Sequence, residues 1–372
     1  MFRRLTLLLF VVIALALPGR AQAEIVLGFA NPLSGPYADS GNRNRIAVTL
    51  AIEDLNQNGG VLGQPVTLVT ADDACGIEPA MAAAEKLVSS GAGAVVGHMC
   101  SHSSLLAAGI YEAADVVMIT PSSTHPRLTE EGRANVFRLI GRDDHQGRLA
   151  GDLLADHFAD KTIAILYDGS TYGQGLAEHT RTRLRERGVF EVIYGLYLPD
   201  GENYDALVGR LIEAGVEVVY IGGSGPDAGL ILRTARERGS RLRLIGGDGL
   251  GMGEFWETAG DAGEGTIFSS RPDAIALPVT RDLRARLREE GLGERVRGTG
   301  AYAAVQVWAQ AVERTGSLRS SDVAHMLRRG RFDTIHGRVA FDPKGDLEGA
   351  VWQWQMWSKG ESRPLLAPEL TQ

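Results

Sequence analysis

The sequence predicts an α/β protein of two similar lobes, each built on a parallel sheet with helices on both faces. Three observations carry this expectation. The chain has 372 residues, more than one hydrophobic core fills. Short, nearly all-apolar strands alternate with amphipathic helical segments, the pattern of strands buried on both faces. The alternation then runs a second time, with no low-complexity linker in between.

The first series has strands IVLGFA (25–30), PVTLVTADD (65–73), AGAVVG (92–97) and VVMITP (116–121), separated by helical stretches at about 45–57, 77–89 and 104–113. The second has KTIAILYD (161–168), FEVIYGLYL (190–198), VEVVYIGG (216–223) and RLRLIGGD (241–248). One of its helices carries Tyr204, Leu207, Val208, Leu211 and Ile212 at the i, i+3, i+4, i+7, i+8 spacing that makes one buried face. The polar run RDDHQ (142–146) reads as the first crossing between the series, and SSRPDA (269–274) as a return. Helical stretches follow at about 279–290, 301–315 and 321–329, then a hairpin around GRVAFDPKGDL and a strand, VWQWQMW (351–357), with a period of two. So long a remainder is expected to complete one or both sheets.

The N-terminus departs from the globular pattern. Arg3 and Arg4 precede a weakly polar or apolar run at 5–17, and Ala21-Gln22-Ala23 closes it with small residues where a signal peptidase reads. Thirteen residues are too few to span a bilayer, so residues 1–23 read as a secretory signal cleaved after Ala23. No cysteine follows the run, which argues against lipid attachment, and the mature chain is expected free in the periplasm or outside the cell. Removing Arg3, Arg4 and Arg20 takes the net charge from -8 to -11. A net acidic chain without a basic cluster argues against nucleic acid or anionic membrane as partner, and no later apolar stretch approaches membrane-spanning length. Cys75 and Cys100 are the two cysteines, and in an oxidising compartment an even pair is most simply one disulfide.

Each strand ends in small or polar residues, and in open parallel sheets ligands bind beyond the strands' carboxyl ends. These loops are therefore the expected site. GSGPDA (223–228) fits G-x-G-x-x-A, follows a strand, opens a helix and has Asp248 twenty residues on, as a dinucleotide site would. Its mid-chain position, Pro226 as a helix-start residue and export from the nicotinamide pool favour a plain helix start over a secreted oxidoreductase. His98, Cys100 and His102 have a spacing open to a metal, but a disulfide would occupy the sulfur, and the two histidines would not share a helical face. There is no G-x-S-x-G elbow and no H-E-x-x-H. The acid pairs Asp72-Asp73 and Asp143-Asp144 read as solvated loops or hinge contacts. No catalysis, metal or cofactor is expected. Ser101, Ser103 and Ser104 stand where a helix begins, so their hydroxyls either cap it or, with the free N–H groups, receive an anion; Ser122, Ser123 and Thr124 repeat this chemistry after the next strand.

NPLSGPYADSG (31–41), IEDLNQNGGVLG (52–63), DDAC (72–75), GHMCSHSS (97–104), MITPSST (118–124), YDGSTYGQG (167–175) and FDPKGDL (341–347) together resemble the leucine/isoleucine/valine-binding proteins. These are periplasmic solute receptors of ABC importers. The colinear motifs run from about Glu24 to Leu347. The resemblance implies a type I periplasmic-binding-protein fold: two Rossmann-like βα lobes, three hinge crossings and a ligand in the cleft between lobes. Lobe 1 would be 24–141 with about 271–346, and lobe 2 would be 142–270 with about 347–372. It implies a disulfide between Cys75 and Cys100 that pins the Ser101 loop. Ser101, Ser122 and Thr124 match residues that hold a ligand α-carboxylate, Asp248 stands where an acid pairs with the α-ammonium, and Tyr172 matches a tyrosine that closes over the ligand.

The resemblance also places Ser40, Ser224, Met99, His102 and Arg297 along the cleft wall. Ser40 and Ser224 occupy places where branched-chain binders carry tyrosines, so a larger or more polar pocket is expected. Arg297, near an aromatic position of that pocket, reads either as facing solvent or as calling for an extra acceptor or carboxylate on the ligand. The implied partners are an amino acid or analogue and an ABC permease, with the protein itself a monomer; a sensor module that hands its closed form to a signalling partner is the alternative.

Overall fold

The computed structural model describes residues 24–199, 204–272, 299–370 and, between these, 283, 285, 286 and 288–290. The expected signal peptide, Arg297 and half of the helical stretch at 279–290 lie outside the described residues.

Two sheets organise the chain. The first has the order β2-β1-β3-β4-β5, from β1 (Ile25–Asn31), β2 (Val66–Asp72), β3 (Ala94–Gly97), β4 (Val117–Thr120) and β5 (Val136–Arg138), all parallel. Its crossover helices are α1 (Ala38–Gln57), α2 (Ile77–Ser89) and α3 (Ser101–Ala113), with the single turn α4 (Arg127–Glu130) before β5. Apolar cores cover both faces: Leu27, Phe29, Val96 and Ile119 point to one, Val95, Met118 and Val136 to the other. Short β-branched strands buried on both sides therefore read as continuous apolar runs.

The second sheet has the order β14-β13-β10-β9-β8-β6-β7. Five strands are parallel: β6 (Ile163–Tyr167), β7 (Ile193–Leu196), β8 (Val218–Gly222), β9 (Arg243–Gly246) and β10 (Ile267–Ser270). The last two, β13 (Gln353–Ser358) and β14 (Glu361–Pro364), run antiparallel and close one edge. Its helices are α5 (Asp143–His157), α6 (Thr171–Glu186), α7 (Asp205–Glu213), α8 (Gly225–Glu237) and α9 (Gly253–Ala259). On α7 the predicted face is buried at Tyr204, Leu207, Val208 and Leu211, but Ile212 is 38% exposed.

Between β10 and β13 the chain returns to the first sheet. There α10 (Thr299–Thr315) and α11 (Ser320–Arg329) pack on the first core, beside a hairpin of β11 (Arg331–Thr334) and β12 (Gly337–Ala340). The chain thus passes between the sheets three times: after β5, after β10 and after β12. The predicted α/β class and the completion of the second sheet by the tail are observed. The run 142–146, read as the first crossing, stands at the end of the first passage and supplies the N-cap and first turn of α5, and β5 was not foreseen, because three residues are too short for a periodic signal.

Where the first and third passages meet, the guanidinium of Arg138 is fully buried. Its Nε and Nη2 donate to Asp346 Oδ1 at 2.8 and 2.5 Å, and Arg142 Nη1 donates to Asp346 Oδ2 at 2.8 Å. Trp352 Nε1 adds a bond to the Arg142 carbonyl at 3.2 Å. Removing one partner of a buried pair leaves an uncompensated charge, so Asp346→Ala is expected to lower unfolding free energy by about 3–5 kcal/mol in urea titration. A change below about 1 kcal/mol would contradict this account of the junction.

Candidate functional site

The carboxyl ends of both sheets face a shared cleft that encloses about 660 Å3, a volume suited to a small molecule. First-lobe loops after β1, β3 and β4 form one wall, and second-lobe loops after β6, β8 and β9 form the other.

On the first wall the Cys75–Cys100 disulfide, with Cα atoms 5.6 Å apart, ties the loop after β2 to the loop after β3. His102 adds a second tie, its Nε2 lying 2.6 Å from the Cys75 carbonyl. Met99, Cys100, Ser101 and His102 all line the cavity. Helix α3 already begins at Ser101, and no side chain caps it, so its first N–H groups have no side-chain acceptor. Serine capping is therefore not observed. The Ser104 hydroxyl instead lies 2.6 Å from that of Ser123 and 3.3 Å from the His98 carbonyl, and the Ser103 hydroxyl is buried without a partner.

Ser122 and Thr124 line the cavity from the next loop. The Thr120 hydroxyl receives the Ser122 and Ser123 N–H groups at 3.2 and 2.9 Å. Arg138 Nη1 donates to the carbonyls of Ser123 and His125, at 3.3 and 2.8 Å, and so brackets Thr124.

His98 lies beneath this wall rather than on it. It is fully buried, with Nδ1 2.6 Å from Asp73 and Nε2 3.0 Å from the Tyr111 hydroxyl. Its nitrogens are committed, and among the described residues no three histidines, cysteines and acids gather as a metal site would need. Asp73, expected in a solvated loop or a hinge contact, is buried as the partner of this imidazole.

On the second wall Asp248 Oδ1 accepts from the Tyr172 hydroxyl at 3.0 Å and from Gln146 Nε2 at 2.9 Å. The Tyr172 hydroxyl in turn accepts the Gly249 N–H at 3.0 Å. Gln146 is the hub: Nε2 also reaches Asp143 Oδ1 at 3.1 Å, and Oε1 accepts from the Ser269 hydroxyl at 2.5 Å and the Asp248 N–H at 3.2 Å. Asp143 is fully buried, and its Oδ2 has no partner. Burial, then the neighbouring Asp248 charge, push its carboxyl well above the usual range. Of the two expectations for Asp143, a solvated loop or a hinge contact, the first is corrected: the residue opens the helix after the first passage and is driven into the core. Ser224 caps α8, its hydroxyl accepting the Asp227 N–H at 3.3 Å, so GSGPDA is a capped helix start.

Contacts also span the cleft. The Ser40 N–H donates to Glu254 Oε1 at 3.1 Å, and the Tyr37 hydroxyl bonds Ser224. A Cβ on Gly175 would come within 2.8 Å of the His125 ring, so any other residue there would push the ring aside. Burial first, then Arg127, His179 and Arg138, push the His125 imidazole down to about 4.

Eleven expected site residues line the cavity: Ser40, Cys75, Met99, Cys100, Ser101, His102, Ser122, Thr124, Tyr172, Ser224 and Asp248. The sequence reading missed Tyr37 and Asp168 as cleft residues, and Gln146 as the buried support behind Asp248. The Asp143/Gln146 spacing, i and i+3 at a helix start, was the one available signal for Gln146.

The profile of the family described as "Periplasmic binding protein" matches residues 24–361. The chain belongs to that family. This periplasmic binding protein is 38% identical over 350 residues to the leucine-, isoleucine-, valine-, threonine- and alanine-binding protein of Pseudomonas aeruginosa, covering 92% of each. It is 35% identical over 347 residues to a Leu/Ile/Val-binding protein homolog of Brucella suis, covering 93% of this chain and 94% of the relative. A leucine-binding protein of Thermotoga maritima shares its fold with a TM-score of 0.84 at 25% identity, over 92% of this chain and 98% of that one. Membership makes the periplasmic binding protein a solute binder and not an enzyme.

Two outcomes follow from this geometry. The disulfide closes a loop with a sequence separation of 25. Converting both cysteines to serine is expected to cost about 3.5 kcal/mol in denaturant unfolding on the chain-entropy account, and no loss would refute it. For Asp143 the folded pKa lies above the unfolded value of about 4. Its favourable contribution is complete below that value and is lost as pH rises through the raised folded pKa. Asp143→Asn is therefore expected to flatten stability against pH above about 4 and to stabilise the ligand-free protein at neutral pH. Parallel curves for the two proteins between pH 4 and 8 would refute the assignment.

Proposed function

We propose that the protein is the periplasmic solute-binding subunit of an ABC importer and captures an amino acid or amino-acid-like zwitterion by closing its lobes. The observation that carries this is the division of the cleft. One wall offers hydroxyls and uncapped helix N–H groups at Ser101, Ser122 and Thr124, and the other offers the Asp248 carboxylate braced by Tyr172 and Gln146. A zwitterion leaving water needs a partner for each charge, and charge-assisted bonds contribute about 1.5–3 kcal/mol each. The α-carboxylate goes to the first wall and the α-ammonium to Asp248. Because the two sets belong to different lobes, closure alone satisfies both, and ligand shifts the hinge equilibrium toward the closed form.

The lobes in this reading are 24–141 with about 271–346, and 142–270 with about 347–372. The mature chain begins after Ala23 and works as a periplasmic monomer that delivers its ligand to a permease. The polar hydroxyls of Ser40 and Ser224 in the wall favour a side chain larger or more polar than leucine. Relatives named for leucine, isoleucine, valine, threonine and alanine support the amino-acid class.

Asp248→Ala tests the division. Removing one partner of a desolvated charge pair is expected to weaken α-amino-acid binding by about 2–5 kcal/mol in isothermal titration, with the fold intact. Unchanged affinity would overturn the ammonium role.

A further inference from the structure

Beside the Asp248 pocket the cleft has a second polar corner that the zwitterion does not use. Gly223 and Gly249 join the two, since a Cβ on Gly249 would come within 3.0 Å of the Gly223 carbonyl. The corner gathers Asp168, Asp227 and Glu254 around Tyr37, whose phenol feels all three carboxylates. Asp168 and Asp227 line the cavity with Tyr37 and Ser224.

The protein's own donors account for only part of this corner. Asp168 accepts from the Ser170 N–H at 3.0 Å, the Ser170 hydroxyl at 2.6 Å and the Ser224 N–H at 3.0 Å. Asp227 accepts from the hydroxyls of Tyr204, at 2.5 Å, and Ser224. Two buried groups are left over among the described residues. Glu254, 5% exposed, uses Oε1 for the cross-cleft bond from Ser40, and its Oε2 has no partner. Tyr197 is 4% exposed, and its hydroxyl has no partner. That hydroxyl points at cavity-lining Gly223, standing 2.2 Å from where a Cβ would sit and beside Asp168.

A buried carboxylate oxygen and a buried phenol without partners are costly, and three clustered carboxylates in a closing cleft repel one another. An uncharged apolar side chain would desolvate the corner and satisfy none of it. A cationic group at the end of a side chain supplies donors and opposite charge together. The first wall offers hydroxyls and N–H groups, so a carboxylate belongs there and not in this corner.

Resting on the amino-acid reading, we infer that the corner formed by Asp168, Asp227, Glu254 and Tyr197 is a subsite for a positively charged side chain, so that the ligand is a basic α-amino acid. Its α-groups occupy the Ser101–Thr124 wall and Asp248, and its terminal ammonium or guanidinium occupies the corner beyond Gly223.

The test is a titration of the mature protein at pH 7.5 with L-lysine, L-arginine, L-leucine, L-glutamate and the diamine cadaverine, followed by calorimetry and thermal shift. Lysine or arginine is expected to bind at least tenfold tighter than leucine, and glutamate weaker than leucine. Glu254→Gln is expected to shrink the lysine-to-leucine preference severalfold. Leucine binding as tightly as both basic amino acids would overturn the subsite and leave the amino-acid reading standing. Cadaverine binding as tightly as lysine would support the subsite and overturn the carboxylate role of the first wall. No binding by any of the five would overturn both. The wild-type comparison stands even if Glu254→Gln fails to fold.

Discussion

The buried guanidinium of Arg138 is the constraint on which the cleft depends. It sits where two of the three passages meet, bonded to Asp346 on one side and to the carbonyls of Ser123 and His125 on the other. A buried cation demands full hydrogen bonding, and the acceptors it recruits come from the hinge and from the loop that carries Thr124. The geometry of a cavity-lining threonine and the joint between the lobes are thus fixed by the same side chain. Arg142, bonded to Asp144, Glu130 and Asp346, extends the network along the first passage toward α5.

Behind the second wall the arrangement is similar in kind and opposite in charge. Gln146 holds Asp143 and Asp248 through one nitrogen, and through its oxygen it takes donors from Ser269 and the Asp248 backbone. An amide suits this position because it donates and accepts at once, which neither a carboxylate nor an ammonium does. Two acids so close cannot both ionise without strong repulsion, and Asp143, the more deeply buried, is the one kept toward its neutral form. On the proposed reading this leaves Asp248 charged to meet an ammonium.

The order of strands and helices was legible because it is written in local periodicity: Ile77–Ser89 was predicted with the bounds observed. Helix starts were less so. Helix α1 begins at Ala38, seven residues before the predicted stretch, because its first turns carry Asp39, Ser40 and Asn42, which are solvated or turned to the cleft and give no apolar signal. The cleft residues Ser101 and Thr124 came from colinear motifs, and Asp248 from its spacing after GSGPDA and its place in the family resemblance. The residues that support them did not, since a buried Asp143, Asp73 or Arg138 looks in sequence like any surface charge. What makes each of them interior is a partner far along the chain, such as Asp346 for Arg138, and no local pattern announces it.

Trp357 shows what the topology asks of folding. It lies on β13, is fully buried against Phe255 and Phe268 of the second core, and donates to the Leu250 carbonyl at 2.7 Å. The second sheet is thus begun near residue 163 but finished only by residues 353–364. Until residues 353–364 join it, the edge of β10 that pairs with β13 and the apolar surface beneath Trp357 stay uncovered. Forming the second sheet thus depends on bringing together segments nearly two hundred residues apart, and such non-local pairing is the slow kind of step in folding.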